Sequence, residues 1–112
     1  MKAYRTTDTE IEELGDLQAS RILNLIEDAA NMPDQSVQIG IGIYRSEKDF
    51  LEIRPVGENG YLIWSDFIAI PLWRRLFCAS HIQPIVTGLA EVERAITSYI
   101  NKSRIEFEQE YR

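Results

Sequence analysis

The sequence predicts a small α+β domain: a long N-terminal helix, a three-stranded antiparallel meander, a short helical corner and a long C-terminal helix, with residues 104–111 readable as a final strand. Three observations predict it. Apolar residues recur at helical spacing over residues 8–32 and again after Pro84. They alternate strictly with polar or glycine positions over residues 37–43. The strand-like runs of the middle third are separated only by short, turn-rich stretches, as hairpins require. A chain of 112 residues is expected to form one domain spanning 1–112.

The elements follow in order. Thr7 and Glu10 have the spacing of a helix-capping box, and the acids that follow suit the positive end of a helix dipole. Ile11, Leu14, Ile22, Leu25, Ile26 and Ala29 fall near one helical face, with Gly15 as a break or a point of close approach, and Pro33 ends the segment. In "SVQIGIGIY", Val37, Ile39, Ile41 and Ile43 face the core, while Gly40 and Gly42 leave two empty positions on the other face. A side chain from a neighbouring element would fill them, or a ligand would. "DFLEIRPV" puts Leu51 and Ile53 on one face and Glu52 and Arg54 on the other, with Pro55 marking an edge or an end. "GENG" is a tight connection, and "YLIWSDFIAI" is apolar on both faces, as a central or doubly covered strand would be.

Pro71 opens the short helix of the corner, where Leu72, Leu76 and Ala79 make one stripe. In the last long helix Leu89, Val92, Ile96, Tyr99, Ile100 and Ser103 fit the inner face. Over the tail, Ile105, Phe107 and Tyr111 alternate with Glu106, Glu108 and Glu110, which favours a strand, although the same residues are good helix formers.

Composition excludes several function classes. With 45% apolar and 27% charged residues the chain is too apolar to be disordered. The net charge is −6, and residues 1–35 hold eight acids against three bases. Such a chain is ill suited to a phosphate backbone, which is bound by releasing counterions with Lys and Arg, so no nucleic acid is expected. It suits solubility or a basic protein partner. No apolar run is long enough to span a membrane, no secretory leader is read at the start, and a lone cysteine implies no internal disulfide, so a cytoplasmic protein is expected.

The rare chemistry of the chain is concentrated in "IWSDFIAIPLWRRLFCASH". Cys78 and His81 could pair as nucleophile and base, but no second histidine or glycine-rich oxyanion loop accompanies them. One cysteine and one histidine also fall short of the three or four ligands zinc takes, so no metal is expected. There is no phosphate loop, nucleophile elbow or dinucleotide fingerprint, hence no cofactor and no enzyme is expected. Buried packing accounts for Cys78 and for Trp64. Arg74 and Arg75 form the main basic spot. They fit the wet side of the short helix, paired with the acids of the first helix, and beside Trp73, itself a core or surface-contact residue, they also have the composition of an interface hot spot. The acids Asp8, Glu10, Glu12, Glu13 and Asp16 are either a solvated helix face or a landing surface for a basic protein. Glu106, Glu108 and Glu110 would line one face of a terminal strand and guard its edge.

The run "VGENGYLIWSD", followed by the amphipathic "EVERAITSYI", resembles small immunity proteins of bacterial toxin systems. That resemblance implies a protein that neutralises a cognate toxin by binding it, often with an acidic surface over a basic nuclease site. It assigns a role to no individual residue. The expectation is therefore a non-enzymatic acidic binding module. The alternatives are a small-molecule or regulatory domain using the Gly40/Gly42 face or the Trp73–Arg75 corner, and a subunit that buries apolar surface in a homodimer.

Overall fold

The computed structural model describes residues 1–32, 39–69 and 81–111. Its elements are β1 (Lys2–Thr6), β2 (Ile11–Asp16), α1 (Ala19–Ala30), β3 (Gly40–Tyr44), β4 (Phe50–Val56), β5 (Gly60–Asp66), β6 (His81–Ile82), β7 (Ile85–Thr87), α2 (Leu89–Asn101) and α3 (Arg104–Gln109). The strands form one antiparallel sheet in the order β2-β1-β3-β4-β5-β6, with β7 also pairing along β5. No helix among the described residues is long and apolar enough to cross a membrane.

This architecture overturns the expected one. Residues 8–32 are not a single helix. Thr7 and Glu10 close a β-hairpin: the Thr7 N–H donates to the Glu10 carbonyl at 2.9 Å, and the Glu10 N–H donates to Thr7 Oγ1 at 3.3 Å. The side-chain bond expected of a helix cap is therefore made, but inside a turn, because Thr and Glu three apart serve both geometries. Residues 11–16 then pair with β1, a strand the helical pattern had left unassigned. Gly15 has φ +76°, at the point where Leu14 stands out of register between the Tyr4–Glu13 and Ala3–Gly15 pairs. A left-handed residue in a strand bulge is glycine's own conformation. Only the Ile22–Ala29 half of the proposed face is helical, and it buries Ile22 and Ile26.

The three strands expected as a meander are interior members of the seven-stranded sheet. Their alternation sets the burial: Ile41, Ile43, Leu51, Ile53, Tyr61 and Ile63 all face inward. α1 packs on β3 and β4, and α2 on β4, β5 and β7. Val92, Ala95, Ile96 and Tyr99 of α2 and Phe107 of α3 complete the core. Ser103, expected on the inner face of the last long helix, is exposed, and its Oγ instead accepts the Glu106 N–H at 3.2 Å as the cap of α3.

Residues 104–109 are thus helix, not strand. The three glutamates do not form a row. Glu106 caps with Ser103, Glu108 is fully buried, and Glu110 is exposed beside Lys102 and Ser98. The helical corner, with Pro71 and the stripe of Leu72, Leu76 and Ala79, lies outside the described residues, as do Val37 and Pro33.

Candidate functional site on the open sheet face

α1 and α2 cover one face of the sheet, and the alternate positions of the strands build the other. On that open face lies a groove of about 540 Å³, lined by Tyr4 and Thr6 of β1, Ile11 and Glu13 of β2, Tyr44 of β3, Phe50, Glu52 and Arg54 of β4, and Trp64 of β5, together with Ser46 and Glu47. Among the described residues, four aromatic rings, three carboxylates and one guanidinium meet there.

The glycines of β3 explain how the groove is floored. A Cβ on Gly42 would fall inside the ring of Tyr4, and one on Gly40 would press on Thr6 and Glu52. The space left by glycine is therefore filled by Tyr4, a side chain from the neighbouring strand. Tyr4 lies against Tyr44 with ring centroids 6.0 Å apart, and its hydroxyl donates to Glu52 Oε1 at 2.9 Å. Burial first, and then the Glu52 charge, push the Tyr4 phenol well above its ordinary pKa. The Arg54 Nε donates to the other Glu52 oxygen. Glu52 is only 6% exposed, so its charge is held by these two donors rather than by water. Tyr44 donates to Glu13 at 2.7 Å, and this bond raises its pKa too.

One end of the face is set by β5 and β6. Trp64 stacks on His81 with centroids 4.7 Å apart and an interplanar angle of 24°. His81 Nδ1 and Asp66 Oδ1 are 2.6 Å apart. The sequence expectation of a core tryptophan is corrected here: Trp64 is half-buried, on the open side of the strand. His81 is engaged by an aspartate and a ring, and Cys78 lies outside the described residues. Among the described residues no group of three or more His, Cys, Asp or Glu could hold a metal ion.

The acids singled out in the sequence are dispersed by the fold. Of Asp8, Glu10, Glu12, Glu13 and Asp16, only Glu13 lines the groove. Glu12 lies 2.5 Å from Arg5, Asp16 lies 3.5 Å from the N-terminal amine, and Asp8 and Glu10 sit at the hairpin turn. Trp73, Arg74 and Arg75 lie outside the described residues.

Glu108 belongs to a different site, a buried polar cluster under α3. Arg104 donates from Nε to Glu108 at 2.9 Å, from Nη1 to Asp49 at 3.1 Å and from Nη2 to Ser65 at 3.0 Å. Glu108 Oε2 also accepts the N–H groups of Ile68 and Ala69 at 3.2 and 2.8 Å, while Oε1 is buried without a partner among the described residues. Tyr99 donates to Asp49, and burial followed by that bond raises its pKa. Every member is held by another, so the cluster fastens α3 and the end of β5 to the core.

Sequence reasoning misses Tyr4, Tyr44, Phe50, Glu47, Glu52 and Arg54 as site residues. The signal was nonetheless present for Tyr44, Glu52 and Arg54: they are the outward positions of strands whose alternation is plain. What hid the site was strand order, which alternation does not specify. No protein-family model matches the chain, and no curated protein and no solved structure matches it.

Proposed function

We propose that the protein is a non-enzymatic binding module whose open sheet face receives a basic segment of another protein, as an inhibitor of a basic toxin or nuclease would. The observation that carries this function is the groove itself. Among the described residues its lining holds Glu13, Glu47 and Glu52 against Arg54 alone, interleaved with Tyr4, Tyr44, Phe50 and Trp64. Carboxylates beside aromatic faces are what a guanidinium or ammonium group binds, by charge and by cation–π contact together. The overall charge of −6 adds long-range attraction for the same partner.

The test is affinity capture from lysate of the source cells at low and high salt, with a Glu13→Gln/Glu47→Gln double variant as second bait. The expected result is a stoichiometric basic protein that salt releases and that the variant retains poorly. A bait that captures no such protein, or one held equally by both baits, refutes the proposal.

A small-molecule ligand is the second function with an observation behind it, since about 540 Å³ falls within the size range of ligand pockets. It predicts a bound metabolite that Trp64→Ala releases and that the Glu13/Glu47 variant keeps.

A further inference from the structure

We propose that the partner attaches by its backbone to the free edge of β2, adding an extended strand that bears arginine or lysine. This rests on the basic-partner function above and names how that partner is held.

β2 ends the sheet, and among the described residues no strand lies beyond it. Thr7 and Glu10 form the bonded pair that closes the hairpin. Bonded and non-bonded pairs alternate along an antiparallel ladder, so the Thr6–Ile11 and Tyr4–Glu13 pairs are the non-bonded ones. Ile11 and Glu13 therefore turn their N–H and C=O groups outward, toward solvent. The same two residues are the ones whose side chains line the groove. Backbone donors and acceptors thus stand at the rim of an aromatic and acidic groove, in the arrangement that strand addition uses.

The two borders of the sheet differ. On its outer side β5 is covered by β6 and β7, of two and three residues. β2 offers six. Acids on an edge can serve merely to prevent aggregation. That role does not account for Ile11, a large aliphatic side chain left 74% exposed at the end of the groove.

Charge selects the occupant. From residue 8 to residue 16 the chain carries five acids and no base. A second copy of β2 laid antiparallel would set acids against acids, which is destabilising. A basic strand sets opposite charges together. It would lie about 4.8 Å beyond β2, so that a long side chain on its open face reaches the Glu13–Tyr44 pair.

The probe is a capped hexapeptide alternating arginine with valine, titrated into the full chain at low salt and followed by amide NMR. Two controls accompany it: the same peptide N-methylated on alternate backbone nitrogens, in both patterns, and a peptide with glutamate in place of arginine. Expected are saturable shifts and slowed exchange at the Ile11 and Glu13 amides. Binding should be at least about tenfold weaker for the N-methylated pattern that removes the pairing donors, since the bonds to both outward carbonyls are lost together. The glutamate peptide should not bind. Ile11→Pro, which deletes an outward donor and leaves the β1 ladder intact, should abolish binding in a chain whose spectrum shows the native fold. If it does not fold, the N-methylated peptides decide on the unaltered chain.

Equal binding of the methylated and unmethylated peptides overturns strand addition but leaves a basic partner standing. Failure of every arginine peptide to bind also overturns strand addition. The capture experiment then judges the basic-partner function independently.

Discussion

Gly42 is the position where one missing atom decides the most. It lets the ring of Tyr4 lie flat across β3, which in turn brings the Tyr4 hydroxyl to Glu52. Gly42→Val should cost about 1–3 kcal/mol by overpacking, read as a lower denaturant midpoint, because the ring has to leave its place. An unchanged midpoint would show that Tyr4 is not held there. The tyrosines also make a prediction about pH. Tyr4 and Tyr99 both have pKa values raised by burial and by an acceptor carboxylate. A phenol whose pKa is raised on folding contributes stability that is intact below the unfolded value, about 10, and is lost as pH climbs toward the folded one. Stability should therefore decline above about pH 10, and Tyr4→Phe should make the decline shallower, as followed by unfolding curves across that range.

At the scale of elements, α3 shows how one short helix is fixed from both ends. Six residues are too few to be helical alone. Ser103 and Glu106 cap the start, and Arg104 with Glu108 binds the helix to Asp49, Ser65 and the segment after β5. Arg104→Leu should cost about 3–5 kcal/mol, since it leaves the Glu108 carboxylate buried without its counter-ion. Amide exchange should then speed up in α3 and at Ile68 and Ala69 before it does in β3. Uniform exchange would argue against this cluster as the fastening. At the far end, hydrogen bonds from Lys102 and then Ser98 lower the Glu110 pKa. A lowered carboxylate contributes stability above its ordinary value and loses it as pH falls through the folded one. Acid should therefore loosen the end of α3 first, and Glu110→Gln should remove that pH dependence from the local exchange rates.

Across the whole molecule, the aromatic groove, with its acids, and the helices lie on opposite sides of the sheet. Attraction to a basic partner across such a face is screened over roughly 8–10 Å at ordinary salt. Partner association should accordingly slow as salt rises, and Glu13→Gln with Glu47→Gln should flatten that dependence while leaving the thermal midpoint almost unchanged. Stopped-flow association at several salt concentrations measures it. A salt-independent rate would mean that the acids only keep the protein soluble.

What the sequence determined by itself was set by short-range periodicity. The inward faces of β3, β4 and β5, the tight turn between β4 and β5, and the buried stripe of α2 through Val92, Ile96 and Tyr99 were all readable, because each depends on neighbours two to four positions away. The tertiary structure decided what the local pattern left degenerate. "TTDTE" can cap a helix or close a hairpin, and the pairing of residues 11–16 with β1 chose the hairpin. "SRIEFEQE" can alternate or cap, and the burial of Phe107 with the Arg104–Glu108 pair chose the helix. The groove was undetermined for the same reason. Tyr4, Glu13, Tyr44, Glu52 and Trp64 meet only because β2, β1, β3, β4 and β5 stand in that order, and strand order is fixed by contacts between residues far apart in the chain.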